Sequence, residues 1–251
     1  MIARGAWQGM LTIARFNWPL YAAASAMLIS ALVAAIALPQ IPIRIAAGLV
    51  AAGSAYFLLG SLAVSHEVYD RSDLYRWKWL ERALRDLEPT QAILCHSGFD
   101  EVSASLQEHL GEVEWRILDH FDETQMTEAS IRRARRMFPP LPRTLPAPFN
   151  AWPVPEKSAD VVFGLLAIHE LRKKTERSAW FAEAKRCLRR GGRIVVVEHT
   201  RDLANLLAFG PGVLHFHSPA SWRRCWFAAG LHLLEEFRIT PWVRVFVIAV
   251  E

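Results

Sequence analysis

Between Ala159 and His199, two apolar runs rich in β-branched residues flank a polar segment with helical spacing. The runs are Asp160-Val-Val-Phe-Gly-Leu-Leu and Arg193-Ile-Val-Val-Val-Glu198. A strand that is apolar at nearly every position is buried on both faces, so the two runs read as parallel neighbours in a covered sheet, joined by a crossover helix. That crossover, Glu176 to Leu188, sets Trp180, Phe181, Ala184 and Leu188 at helical spacing, and Gly191-Gly192 reads as the helix stop before the next strand. Such a βαβ unit implies an α/β, Rossmann-like doubly wound sheet with its ligands at the carboxyl ends of the strands.

The N-terminal quarter follows a different pattern. The chain is 52% apolar, slightly rich for a soluble protein, and the excess is concentrated there. Pro19 to Leu38 and Ile45 to Ser65 are uncharged runs, each long enough at 1.5 Å per residue to cross a hydrocarbon core of about 30 Å. Only Pro39 to Arg44 separates them, which allows antiparallel neighbours alone. Residues 1–68 therefore read as a membrane anchor with two transmembrane helices, about 19–38 and 45–65, leaving 69–251 as the α/β domain. Arg4 and Arg15 precede the first span, and Arg71, Arg76, Lys78 and Arg82 follow the second, against a lone Arg44 between them. The positive-inside tendency puts both termini and the domain on the cytoplasmic face, with Trp7, Trp18, Tyr69, Trp77 and Trp79 near the interface. A cleaved signal peptide, or a soluble helical pair buried in the domain or a dimer, are the other readings of this segment.

Cys95, Cys187 and Cys225 have no paired spacing, which argues against a disulfide or zinc framework. The formal net charge is +4, but the basic residues gather beside the spans and in Ile131-Arg-Arg-Ala-Arg-Arg136. A lipid surface explains them without nucleic acid, and a solvated helix face explains the arginine run equally well. Pro139 to Pro155 is too proline-rich for a helix and reads as a loop before the strand at Asp160.

The segment Trp152-Pro-Val-Pro-Glu-Lys-Ser-Ala-Asp160, the strand after it, the turn Cys187-Leu-Arg-Arg-Gly-Gly-Arg193 and the strand ending in Glu198 together resemble the second half of a class I S-adenosylmethionine-dependent methyltransferase. Ser218 to Trp222, then Phe227-Ala-Ala-Gly-Leu231, resemble that family's late helix and Ala-Gly turn, and Glu235 to Ile239 with Val243 to Val250 its closing hairpin. The likeness covers roughly residues 70 to 251. It implies a seven-stranded sheet and S-adenosylmethionine as cofactor.

In the family, the first strand ends in an acid and three spaced glycines. Here Ala92 to Cys95 is that strand, the acid's place is taken by Leu94, and the glycines' places by His96, Gly98 and Asp100, so only the middle glycine is kept. The resemblance assigns His96, Gly98 and Asp100 to the cofactor, with Ser97 or Asp100 also suited to cap the next helix. Val113 to Leu118 reads as the second strand and ends in Asp119, where family members hold the ribose hydroxyls with a carboxylate.

Chemistry-bearing residues come in pairs: His169-Glu170 after the fourth strand and Glu198-His199 after the fifth. Adjacent strand ends bring these four side chains to one rim, with His96, His215 and His217 close by. Three uses remain open: a general base for the methyl acceptor, a metal site of nitrogen and oxygen ligands, or structural bonds from Glu198 and His169 to loop N–H groups or to Arg172, Arg177 and Arg201. No tight metal spacing such as His-x-x-x-His occurs, so no metal ligand is assigned. Arg201-Asp202 with Asn205 reads as a capped helix start.

The expectation from the whole chain is a membrane-anchored methyltransferase. Its substrate would be a lipophilic or amphipathic small molecule of quinone, lipid or isoprenoid type at the cytoplasmic membrane face, and its partner the bilayer. A non-catalytic membrane protein that keeps the fold, or a metal-dependent enzyme on the same edge, are the alternatives. The sequence leaves the oligomeric state open.

Overall fold

The computed structural model describes residues 5–250; Arg4, counted above among the basic residues preceding the first span, lies outside them. The strands are β1 Gln91–His96, β2 Glu114–Asp119, β3 Thr144–Pro146, β4 Ala159–Leu165, β5 Leu188–His199, β6 Leu231–Thr240 and β7 Val243–Val250. They form one sheet in the order β3-β2-β1-β4-β5-β7-β6, parallel from β3 to β5, with β7 inserted antiparallel between β5 and β6. Helices are α1 Gln8–Phe16, α2 Trp18–Ala37, α3 Ile41–His66, α4 Trp79–Ala83, α5 Ser103–Leu110, α6 Ala129–Met137, α7 Lys174–Cys187, α8 Leu203–Phe209 and α9 Pro219–Ala228.

Both faces of the sheet are covered, which is why the central strands read as unbroken apolar runs. Val162, Ile194 and Val196 pack with Trp180 and Phe181 of α7 and Trp222 and Trp226 of α9. Val161, Phe163, Val195 and Val197 point the other way, into a core with Val68, Leu74, Leu80 and Leu106. Trp77 and Trp79 belong to that second core, at 4% and 6% exposure, so they are not interface anchors. Of the expected belt, only Trp7 and Trp18 are exposed.

The boundaries differ from the sequence reading where a local rule decides them. Helix α3 begins at Ile41 because Pro42 falls in its first turn, where a missing N–H costs nothing. Arg44 thus lies inside α3, and its Nε donates to the Ala35 carbonyl at the end of α2 (2.9 Å). The crossover helix stops at Cys187, one residue before the expected Leu188, which is already extended and pairs with Ala159, so Gly191-Gly192 lie within β5 rather than ahead of it. Part of the proline-rich segment is strand: Thr144 to Pro146 forms the sheet edge, the position where a proline is tolerated. The short helix α1 was not anticipated. Asp70, in the π-helical turn Glu67–Arg71 that continues α3, caps it by accepting from Gly9 N (2.7 Å) and Met10 N (3.0 Å).

Candidate active site at the carboxyl edge of the sheet

Strands β4 and β5 are hydrogen-bonded neighbours, and a sharp reversal follows β4. Leu166 takes a left-handed conformation, φ +52°, with its N–H bonded to the Val197 carbonyl (2.8 Å). For a leucine this strain is of the order of 1–2 kcal/mol, and it lies where the chain lines the site. Fully buried Glu198 gathers the turn: Oε1 accepts from the N–H groups of Ala167 (3.2 Å), Ile168 (2.9 Å) and His169 (3.1 Å), and Oε2 from His169 Nδ1 (2.6 Å). With Nδ1–H held in this way, His169 presents Nε2, which stands 3.6 Å from Glu170 Oε1. Gly164 allows the turn to pack, since a Cβ there would meet Ile168 Cγ1 at 2.6 Å.

His199 is used differently. Its Nδ1 faces the Trp242 carbonyl (3.0 Å) and Asn205 Oδ1 (3.1 Å), and its Nε2 faces the Tyr69 hydroxyl (2.9 Å). Burial pushes its pKa down to about 4 despite these partners, so it stays neutral and ties the sheet edge to the end of the hairpin. Tyr69, expected at the membrane interface, instead reaches this rim. Asn205 belongs to the helix start that Asp202 caps, as its sequence suggested.

Two further groups complete the His169 side. His215 puts Nε2 3.3 Å from Glu170 Oε1 and Nδ1 3.1 Å from Glu128, at the N-terminal end of α6. Burial alone would lower its pKa, but the hydrogen bonds to Glu128 and Glu170 and their negative charge outweigh that and raise it to about 9. Glu170 is held below the ordinary carboxyl range: burial works against this, while the hydrogen bond from His215 and the charges of His169, His215 and Arg172 prevail. Arg172 donates to the carbonyls of His169 (3.3 Å) and His215, fixing one imidazole relative to the other. His217 does not face Glu170; its Nε2 lies 2.8 Å from Arg177 Nη1 and 3.1 Å from the His169 carbonyl, and burial followed by the charges of Arg177 and Arg172 lowers its pKa to about 3. Arg201 bonds the Phe216 and Leu214 carbonyls rather than the rim acids.

At the other end of the rim, β1 leads into His96, Ser97 and Gly98. Gly98 has φ +87°, and a Cβ on it would meet the Phe121 ring at 2.7 Å, so the one retained glycine is sterically required. Asp119 Oδ1 accepts from Gly98 N (2.8 Å) and Phe121 N (3.0 Å), and Oδ2 from Arg135 Nη1 (2.5 Å). Asp100 spends its carboxylate on the start of α5, accepting from Ser103 N (2.9 Å) and the Ser103 hydroxyl (2.5 Å). His96 Nδ1 and Nε2 and the Ser97 hydroxyl are buried with no hydrogen-bond partner among the described residues. Burial lowers the His96 pKa, with Asp119 and Asp100 opposing.

A cavity of about 400 Å³ joins the two ends. His96 and Ser97 line one side and His169, Glu170 and His215 another, while the roof comes from the N-terminal helices through Phe16, Leu20, Tyr21 and Phe57. Two of the arginines in 131–136 are half-buried and bonded within the protein. Arg135 holds Asp119, and Arg133 donates to the Phe16 carbonyl (2.8 Å), fastening α6 to α1.

Residues 116–196 match the model of a family described as a methyltransferase domain. The domain has the class I methyltransferase fold. Geranyl diphosphate methyltransferase in complex with S-adenosylmethionine is 12% identical, with a TM-score of 0.52 over 75% of this chain and 88% of that one. A chain of the complex between the Trm112 methyltransferase activator of Haloferax volcanii and a methyltransferase is 16% identical, with a TM-score of 0.50 over 69% and 89%. Identities this low establish the fold. No curated protein matches the sequence.

The β1 turn fits S-adenosylmethionine, the cofactor that the family resemblance implies: both nitrogens of His96 and the Ser97 hydroxyl are unpartnered and these residues line the cavity, where a polar ligand would complete them. Asp119 fits in part, since three of its roughly four acceptor sites are already filled.

Sequence reasoning missed Glu128 and placed Arg135 and Tyr69 at a surface, whereas Arg172 was already among the partners considered for His169. Glu128 carried one signal, an acid just before a helix, but it does not cap that helix and turns to His215 instead.

Proposed function

We propose that this protein is a membrane-anchored S-adenosylmethionine-dependent methyltransferase whose substrate is a lipophilic or amphipathic small molecule of quinone, lipid or isoprenoid type. The observation that carries the reading is the shared cavity: Tyr21 and Phe57 of the two long apolar helices face the same space as His169 and Glu170 of the sheet edge. Both helices are long and apolar enough to cross a membrane, and their apolar windows are only 6% and 22% buried. Ile36, Leu49 and Leu59 are more than 70% exposed. A soluble core helix hides such residues, whereas a bilayer covers them without further protein. Arg15 before α2 and Arg71, Arg76, Lys78 and Arg82 after α3 favour a cytoplasmic domain.

In this reading His96, Ser97, Gly98 and Asp119 hold the cofactor, Asp119 taking a ribose hydroxyl on the oxygen it shares with Arg135. The methyl acceptor enters beneath the helices, and His169, Glu170 and His215 meet its reacting oxygen. Once bound, S-adenosylmethionine would supply its methyl group to that oxygen, and His169 or Glu170 would take the acceptor's proton. Glu198 contributes by fixing the orientation and tautomer of His169; holding the acceptor in line accounts for much of the rate in any such transfer.

The test uses full-length protein in detergent. Titration with S-adenosylmethionine is expected to give one site per chain, and incubation with methyl-labelled cofactor and a membrane lipid extract is expected to move label into the organic phase. Binding without label transfer to any lipid fraction, or release of the full chain from membranes by alkaline carbonate, overturns the substrate class or the anchor respectively.

A further inference from the structure

The His169–Glu170–His215 cluster is more ordered than proton transfer requires. Both imidazoles aim Nε2 at the same oxygen, Glu170 Oε1, at 3.6 Å and 3.3 Å. Each has its other nitrogen backed by a carboxylate: His169 Nδ1 by Glu198 at 2.6 Å, His215 Nδ1 by Glu128 at 3.1 Å. Metal-ligating histidines are arranged in just this way, the distal N–H held by a carboxylate so that the proximal nitrogen keeps its lone pair toward the ion. Ligands bound at about 2.0–2.2 Å in a tetrahedral shell stand roughly 3.4 Å apart, and the two Nε2-to-Oε1 separations bracket that value. The three donor atoms all lie within 4.8 Å of one another. Closing the third edge needs a shift of at most about 1.4 Å, within reach of side-chain rotation.

Charge points the same way. Glu128, Glu170 and Glu198 surround the two imidazoles, with Arg172 the one arginine bonded among them in the described contacts. Three carboxylates against one guanidinium and the protonated His215 leave the group one negative charge in excess, beside a cavity roofed by Phe16, Leu20 and Phe57. Water-poor surroundings make such an excess costly and a divalent cation a natural counter-charge.

We propose that His169 Nε2, Glu170 and His215 Nε2 bind a first-row divalent cation of the Zn²⁺ type, with Glu198 and Glu128 as orienting partners and an open coordination position facing the cavity. Two histidines and one carboxylate leave such a position free for an oxygen ligand. The proposal deepens the methyltransferase reading by giving the acceptor a handle, a hydroxyl, phenol or enol oxygen bound as its anion. Glu170 ligates through one oxygen and keeps the other to receive the acceptor's proton. His199 and His217, their nitrogens bonded elsewhere, take no part.

The test separates cation binding from methyl transfer. Full-length protein in detergent is stripped with a chelator, then titrated calorimetrically with Zn²⁺ alone, and separately with S-adenosylmethionine. One Zn²⁺ per chain is expected, with micromolar or tighter affinity. Glu170→Gln and the double change His169→Gln with His215→Gln are expected to weaken it at least 100-fold, and Glu198→Gln or Glu128→Gln 10- to 100-fold. His109→Ala, at an exposed site on α5, leaves it unchanged. Circular dichroism and a melting curve on each variant establish folding, and Glu170→Gln, nearly isosteric, serves if the double variant does not fold. Stripped protein that binds S-adenosylmethionine but no Zn²⁺ overturns the metal site and leaves the methyltransferase reading standing. Zn²⁺ bound equally by the double variant overturns it too, placing the ion elsewhere. Zn²⁺ bound as expected in a protein that takes no S-adenosylmethionine upholds the site and sinks the methyltransferase reading.

Discussion

The β1–β2 and β4–β5 strand ends share one rim, yet they treat their polar groups in opposite ways. At β4–β5 the groups are partnered within the protein: Glu198 accepts four donors and His199 has a partner at each nitrogen. At β1–β2 both nitrogens of His96 and the Ser97 hydroxyl are buried without one. Buried polar atoms are rarely left so, and an orphan facing a cavity marks a place that a ligand completes. In the proposed function this difference is a division of roles, a pre-built acceptor rim at one end and a cofactor seat at the other that stays polar for its guest.

If the β4–β5 end is pre-built, removing its organiser should produce the largest effect in the domain. Glu198→Ala strands three backbone N–H groups and His169 Nδ1, and the expected loss of stability is about 3–5 kcal/mol, read as a drop in the urea midpoint. Glu198→Gln keeps an oxygen for the amides but sets an N–H against His169 Nδ1. It should fold nearly as well while turnover falls roughly 10²- to 10⁴-fold. Equal turnover in folded Glu198→Gln would remove His169 orientation from the mechanism.

The next effect in size is pH dependence, again from groups held by complete partners. His199 and His120 are both buried and neutral with pKa lowered to about 4, chiefly by burial. His120, whose Nδ1 donates to the Ala147 carbonyl (2.9 Å) and whose Nε2 accepts from Trp180 (3.1 Å), is the clearest case. Above pH 6.5 the folded and unfolded states are both neutral at these sites and stability is at its full value. As pH falls from 6.5 toward 4 the unfolded chain takes up protons that the folded one refuses. Stability therefore drops by up to about 1.4 kcal/mol per pH unit for each histidine and levels off near pH 4. Equilibrium unfolding at pH 7.0, 6.0 and 5.0 measures the slope, and His120→Gln should flatten it. A slope unchanged by that variant would mean His120 is not the group held neutral.

How far the sequence reveals this molecule follows the same divide between strand and site. Val161, Val162, Val195 and Val196 are buried on alternating faces, and such residues announce a parallel strand whatever surrounds them. The adjacency of the fourth and fifth strands, the closing hairpin and the pairing of His169-Glu170 with Glu198-His199 were legible for that reason, and the loop N–H groups that Glu198 gathers were among the readings left open. The partners from distant segments were not. Glu128 meets His215 across 87 positions of chain and Tyr69 meets His199 across 130, and no local pattern encodes a contact between distant loops. Arg135 looked like one of several surface arginines because a helix face shows its charge but not the acid it will meet. The two long apolar helices were legible from hydropathy, whereas α1 was not: nine residues cannot stand as a helix alone and depend on Asp70 for a cap.

A smaller effect is expected at Asp119, where the two ends of the rim differ least. Asp119→Asn can still accept from Gly98 and Phe121, but it sets an amide N–H toward Arg135 and loses the charge that favours a ribose hydroxyl. Affinity for S-adenosylmethionine should fall by about 1–3 kcal/mol with folding preserved. Unchanged calorimetric affinity would show that the ribose lies elsewhere on the rim.

The smallest effect is the sharpest probe of the comparison, because it asks what the orphaned His96 is for. Leucine at this position fills a similar volume and removes both unpartnered nitrogens, so His96→Leu should raise stability, by about 1 kcal/mol against the penalty of keeping a buried polar atom unsatisfied. If those nitrogens serve the cofactor, the same change should weaken S-adenosylmethionine binding about tenfold, one lost hydrogen bond's worth. A protein that becomes more stable while binding less well carries the signature of a site residue, whose cost in the free protein is recovered when the ligand arrives. Greater stability with unchanged binding would instead make His96 a side chain that merely occupies a lost glycine's position, and the cofactor seat would then rest on Ser97, Gly98 and Asp119 alone.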